Sequence, residues 1–277
     1  SGRIYKVVYG RPKGTTIDLQ KRTAAKLAKL HLHRNEWFSR HARRILHERA
    51  IRGHDVSKAI ARLRKVFQAT RDEPNRLRAV WTLAIVGAFD ESELVGLLKH
   101  ESQHVRRWAV HFLVDRQKRQ ANTHTLSQLA KLARAEPSPK VRLALASALQ
   151  RVEPKSRWAI ASGLAQHAVD DTDPYIPLMI WYGIEPLVSR DTEAALKLAT
   201  QSRLSVLRNL IVRRAIDTTE PPIAKVVNAV MSQSDQIVRR DMLQGMLDAL
   251  DGRGTQSAPK AWPGLYVQVS SAADPSL

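Results

Sequence analysis

Three segments of the chain carry residue types whose spacing approaches known chemistry, and each departs from it at a definable point. His47-Glu48-Arg49-Ala50-Ile51 opens like a zinc-protease helix, in which two histidines four residues apart share a face and the intervening glutamate serves as base. Isoleucine stands where the second histidine belongs, so two ligands cannot meet. Gly10 to Thr16 is rich in glycine and threonine like a phosphate-binding loop, but its glycines lie one residue too close and no lysine follows Gly14. It reads as a linker. His100, His104 and His111 would align on a single helix, yet the turn expected at Glu101-Ser102 separates the first from the others. With no carboxylate clustered beside them, they read as polar surface or inter-helix hydrogen bonding. No nucleophile-elbow glycine pattern supports a triad. No residue is therefore assigned a catalytic, cofactor-binding or metal-ligating role, and the chain itself is not expected to be an enzyme.

The arginines are more informative. Arg40, Arg43, Arg44 and Arg49 crowd one predicted helix, and Arg40 and Arg44 share a face at 3.6 residues per turn, making this group the candidate basic contact patch. A second set, Arg78, Arg106, Arg142, Arg208 and Arg239, recurs at a fixed place in a repeated motif. There an arginine can reach the acidic turn or carbonyl ends of a neighbouring repeat, so this set reads as a structural ladder between units rather than a phosphate-binding groove.

The motif that carries this ladder begins with an apolar residue, often followed by arginine, and then interleaves small and large apolar residues. It starts at Phe38, Leu77, Val105, Val141, Ile176, Leu207 and Val238, at separations of 39, 28, 36, 35, 31 and 31 residues. Each interval leaves room for one more helix, for example Leu126 to Arg134 or Glu193 to Thr200. Neither helix of such a hairpin can bury its apolar face alone, so successive hairpins must stack. The expected fold is all-α, an α-solenoid of HEAT-type helical hairpins over residues 18–277. Glu136-Pro137-Ser138-Pro139 and Asp171-Thr172-Asp173-Pro174 supply caps and stops at hairpin corners. Trp37, Trp81, Trp108 and Trp181 fall in or just before the recurring helices and are expected to fill the seams between hairpins. Ala261 to Ser271 reads as the first helix of a further hairpin, and the chain is expected to stop in mid-repeat at Leu277.

Residues 3–9, Arg-Ile-Tyr-Lys-Val-Val-Tyr, form a β-branched and aromatic run ending at Gly10, which predicts one short orphan β-strand. Residues 1–17 are thus expected to be the end of a preceding domain and its linker. The 277 residues include no cysteine, which excludes disulfides, thiolate nucleophiles and covalent haem attachment in this chain. No stretch approaches the roughly 18 consecutive apolar residues of a membrane-spanning helix. The formal net charge of +19 raises nucleic acid as a partner, but it is uneven: residues 1–60 hold 15 basic and 4 acidic groups, whereas residues 121–277 hold 18 and 15.

The segments Asn35 to Ala50 and Arg76 to Trp81, and above all Pro177-Leu178-Met179-Ile180-Trp181-Tyr182-Gly183-Ile184-Glu185-Pro186, resemble a family of large bacterial proteins described as membrane-bound dehydrogenases or PVC-type haem-binding proteins. In that family a sugar-dehydrogenase-like β-propeller precedes a HEAT-repeat region, and a cytochrome c-like domain with a CxxCH haem motif follows it. The resemblance covers nearly the whole chain and makes Arg3 to Tyr9 the last propeller strand. It implies a non-catalytic scaffold or protein-interaction segment whose partners are the neighbouring propeller and cytochrome-like domains or another protein, in a periplasmic or cell-envelope setting. Haem c would belong only to the separate downstream domain. The alternative function is a nucleic-acid-binding HEAT domain that uses the basic N-terminal face.

Overall fold

The computed structural model describes residues 9–10, 17–115, 122–254 and 257–271. The described residues contain helices and no strand; the strand expected over residues 3–9 lies, apart from Tyr9, outside them, as does the mid-repeat stop at Leu277. The chain divides into two compact units, Ser1–Asp90 and Glu91–Leu277.

In the first unit, α1 (Ala24–Lys29), α2 (Glu36–Ile51), α3 (Ser57–Ala69) and α4 (Glu73–Ile85) pack as α1 against α2 and α3, α3 against α4, and α2 against α4. Their starts are set by capping side chains. Asn35 accepts from the Trp37 amide at 2.9 Å and Asp72 from the Asn75 amide at 2.8 Å, satisfying donors that have no partner inside the helix. Leu27, Leu46, Leu63 and Leu83, one from each helix, are fully buried.

The second unit contains α5 (Glu91–Leu97), α6 (Gln103–Val114), α7 (Thr123–Ala135), α8 (Pro139–Ala148), α9 (Pro154–Leu164) and α10 (Ile176–Val188). It continues with α11 (Thr192–Gln201), α12 (Ser205–Ile216), α13 (Ile223–Met231), α14 (Gln236–Leu250) and α15 (Trp262–Ser270). These stack in two rows. One row runs α6, α8, α10, α12, α14, and the other runs α5, α7, α9, α11, α13, α15, each helix touching the next in its row. The recurring motif falls near the start of α2, α4, α6, α8, α10, α12 and α14, so every even-numbered helix carries one copy. The helices expected between motifs, around Leu126 and Glu193, are α7 and α11, and the one expected from Ala261 is α15.

Local chemistry explains the corners. Pro139, Pro154 and Pro177 sit in the first turns of their helices, where a missing N–H costs nothing. Within the rows, close approach depends on glycine. A Cβ on Gly245 of α14 would lie 2.5 Å from the Asn209 carbonyl oxygen of α12, and one on Gly183 of α10 would collide with the Leu149 side chain. Leu145, Leu149, Ile160, Leu164, Ile176 and Ile180, drawn from α8, α9, α10 and the turn after α8, are all fully buried. Burial of each stabilises the fold by roughly 1.5–3 kcal/mol.

The tryptophans divide between seam and surface. Trp108 is partly buried and stacks on Phe112 with ring centroids 5.4 Å apart, and Trp81 is partly buried beneath Arg43. Trp181 is partly buried as well. Trp37 instead remains exposed, because it lies in the first turn of α2 and packs on the surface against Phe38 and His41.

Candidate interaction surfaces

The four arginines of the candidate basic patch all lie on α2 but meet different surroundings. Arg40 is exposed and pairs with Glu36 at 2.7 Å, and Arg44 is exposed and pairs with Glu48 at 3.4 Å, both across one helical turn. Arg43 is half-buried, its guanidinium carbon 5.3 Å from the Trp81 ring centroid. That burial, reinforced by repulsion from Arg40, lowers its pKa. Arg49 turns back to donate to the Gln20 carbonyl at 2.6 Å. The helix therefore brings the four together in sequence without pointing them at one common target.

Arg78 also engages this helix. Its guanidinium donates to Glu36 at 3.1 Å, to the His31 carbonyl at 3.2 Å and to the Asn75 side chain at 3.1 Å. Hydrogen bonds from Arg78 and then Arg40 hold the Glu36 carboxyl below its usual pKa. Beneath them, His31 is buried, with Nε2 2.7 Å from the Thr82 hydroxyl. Burial pushes its pKa down to about 4, and the nearby Arg43 and Arg78 charges act in the same direction.

The ladder arginines of the second unit share a geometry. Arg106 places Nε and Nη2 2.9 and 2.6 Å from the Glu136 carboxylate, while Nη1 donates to the His100 carbonyl six residues earlier. Arg142 does the same with Asp170, at 2.6 Å from each oxygen, and with the Glu136 carbonyl. Arg208 donates to Asp241 at 2.8 and 2.5 Å and to the Ser202 carbonyl at 2.7 Å. Each thus ties the start of its own helix to an acid of the next hairpin. Glu136, Asp170 and Asp241 are themselves buried, so these contacts are desolvated, charge-assisted and bidentate or nearly so. The Glu136 hydrogen bonds raise the Arg106 pKa. Helix α10 has Pro177 at the arginine position, and Asp171 accepts from the Ser205 amide at 2.6 Å across the same junction. Arg239 donates to the Gln233 carbonyl six residues earlier.

The acid partners escape sequence reasoning because they hold no constant register: Glu136 and Asp170 precede their helices, whereas Asp241 lies inside one. The histidine trio is divided, as the turn at Glu101-Ser102 requires. Ser102 caps α6, and His100 lies outside it, accepting from the Ser102 amide. Among the described residues no group of three or more His, Cys, Asp or Glu is placed to hold a metal ion.

One further surface emerges only in three dimensions. The residue just before the motif is exposed and apolar in three consecutive even-row helices: Tyr175 (64 % exposed), Val206 (43 %) and Ile237 (53 %). On α10 the stripe continues through Leu178 to Tyr182, which is 54 % exposed. Two tyrosines seven residues apart, one at the N-cap and one within a helix whose only charged residue is Glu185, are the signal of it that the sequence holds.

Comparison with known proteins agrees with this architecture. Residues 60–150 match the family model of HEAT repeats, a stretch that runs from α3 into the turn after α8 and includes the Arg78, Arg106 and Arg142 motifs. That match and the helical hairpins identify a HEAT-repeat region, and in the second unit the hairpins stack in the manner of an α-solenoid. No curated protein matches the chain. No described helix is long and apolar enough to cross a membrane.

Proposed function

We propose that the chain is a non-catalytic helical-repeat scaffold, a protein-interaction segment that holds other domains in a fixed relation. The observation that carries this reading is the combination found in the even row of the second unit. Buried arginine–carboxylate pairs lock successive hairpins together, while the same row exposes Tyr175, Tyr182, Val206 and Ile237. A rigid support presenting amphipathic aromatic side chains is what a protein partner engages, since tyrosine offers large contact area at low entropic cost. HEAT repeats commonly serve in this way.

The resemblance of Asn35 to Ala50 and Pro177 to Pro186 extends the reading to a setting: a large bacterial redox protein of the periplasm or cell envelope. There the propeller and cytochrome-like domains carry the chemistry, and this segment spaces them. Any haem would be held by the cytochrome-like domain, because a chain without cysteine cannot attach it through CxxCH. The purified 277 residues, supplied with sugars or alcohols and an artificial electron acceptor, are expected to show no turnover. Sustained reduction of the acceptor at a rate proportional to chain concentration would overturn the reading.

A further inference from the structure

One face of the even row carries cations and apolar side chains but no carboxylate. In α6, α8, α10, α12 and α14 the residue just before the motif and those three and seven places later share a face of their helix. None of these positions is buried, and in none of the five helices is any of them an aspartate or glutamate. On α10 they are Tyr175, Leu178 and Tyr182, and Val206 of α12 continues this apolar centre. Cations lie to both sides of it, Arg107 and Lys140 on α6 and α8, and Arg213 and Arg240 on α12 and α14. The acids that border the face are engaged elsewhere. Asp173 accepts from the Ile176 amide at 2.9 Å, Asp235 from the Ile237 amide at 2.8 Å, and Glu185 from Arg214 at 2.6 Å. Hydrogen bonds from Asn209 and Gln244, and after them the Arg213 charge, hold Asp248 below its usual pKa. Arg240 approaches Asp241 at 3.5 Å, but that carboxylate is buried against Arg208. Lys140 and Arg213 form no ion pair among the described residues.

We infer that this face binds an acidic segment of a partner protein, whose large apolar side chains cover Tyr175, Leu178, Tyr182 and Val206 while its carboxylates meet Lys140 and Arg213. Opposite potentials across an interface select the partner, and the desolvated centre supplies the affinity. The face is not a stacking surface. Helices α8, α10 and α12 each touch both neighbours in the row, and these side chains stay uncovered with those neighbours in place. Nor do the chain's own residues outside the described ones supply the occupant, since they hold between them a single acid, Asp274. A second copy presenting the same face would oppose cation to cation. Nucleic acid would bring phosphates to the cations but nothing aliphatic to cover Leu178 and Val206.

The inference rests on the even row being a protein-interaction surface, and it adds the charge of the partner. The probe is a displayed library of random peptides of about 16 residues, roughly 24 Å as helices, selected on the full 277-residue chain. The enriched peptides are expected to be acidic and to carry at least two large apolar residues. Their affinity is expected to fall at least about tenfold in the Lys140→Glu, Arg213→Gln double variant and again in Tyr182→Ser. All three side chains are exposed, so both variants should keep the wild-type circular dichroism, which separates lost binding from lost folding. No enriched peptide, or peptides indifferent to these substitutions, would overturn the inference. Sedimentation of the chain as a dimer that Tyr182→Ser dissolves would overturn it by giving the face to a second copy, and a single-stranded oligonucleotide that displaces the peptides would overturn it by giving the face to nucleic acid. Neutral or basic peptides that still need Tyr182 would also overturn it, yet they would leave the wider reading of a protein-binding row standing.

Discussion

Arg142 and Asp170 face each other as a buried bidentate pair, Nε and Nη2 of one each 2.6 Å from an oxygen of the other. The pair joins α8 to the turn that precedes α10, and Arg142 adds a bond to the Glu136 carbonyl, whose side chain is in turn held by Arg106. Three hairpins are thereby linked through two arginines. Removing one partner strands a buried charge, so Arg142→Ala is expected to destabilise the second unit by about 3–5 kcal/mol. Replacing both members by apolar residues of similar volume should recover much of that loss. Denaturant midpoints of the two single variants and the double variant measure both effects; a single-variant loss below about 1 kcal/mol would show that the pair is not desolvated.

Glycine supplies a second test of the stack. Gly245→Ala places a methyl group 2.5 Å from the Asn209 carbonyl oxygen, which belongs to helix backbone and cannot step aside. The cost is expected to be roughly 1–3 kcal/mol. Gly96→Ala, where the added carbon meets nothing, is the control and should be neutral or stabilising by about 0.5–1 kcal/mol. The thermal unfolding midpoint should therefore fall for Gly245→Ala and stay level or rise for Gly96→Ala.

His31 makes stability depend on pH in a definite sense. The folded chain keeps the imidazole neutral down to about pH 4, whereas the unfolded chain protonates it near its ordinary value of 6.5. Unfolding thus takes up a proton in that window. The stabilisation is complete above about 6.5 and declines as pH falls toward 4, a loss that approaches roughly 3 kcal/mol. His111, whose pKa is also lowered by burial and then by Arg107 and Arg151, contributes with the same sign. Urea unfolding across the window should show the decline, and His31→Gln should flatten it. A wild-type profile that stays level would contradict the buried neutral imidazole.

The repeat was legible because it is written in the period of apolar residues and in the breakers between them. Glu136-Pro137-Ser138-Pro139 had to be a corner, and Leu126 had to lie on a helix, whatever the tertiary detail. The strand expected over residues 3–9 falls, apart from Tyr9, outside the described residues. What could not be read was the destination of each polar side chain. Arg43 and Arg49 share a helix with Arg40 and Arg44, but whether an arginine covers Trp81, reaches the Gln20 carbonyl or stays in water depends on what other helices bring near it. The exposure of Tyr175 and Tyr182 was hidden for the same reason: an aromatic at helical spacing looks alike whether a neighbour covers it or not.

The same placement bears on nucleic acid. Arg40 and Arg44 are paired with Glu36 and Glu48, so the chain is expected to leave the mobility of duplex DNA and RNA unchanged at an ionic strength of about 0.15 M. Binding that falls steeply with salt and disappears in the Arg40→Glu, Arg44→Glu double variant would instead establish the basic face as a nucleic-acid site.

Whether the even row of the second unit is a partner-binding surface can be asked in the native cell by site-specific photo-crosslinking. A photoreactive residue at Tyr182, exposed on α10, is compared with one at Lys155, exposed on the odd-row helix α9. A discrete crosslinked polypeptide, or an intramolecular link to another domain, is expected from Tyr182 and none from Lys155. No crosslink from Tyr182, or equal yields of the same products from both positions, would contradict a scaffold that works through this row.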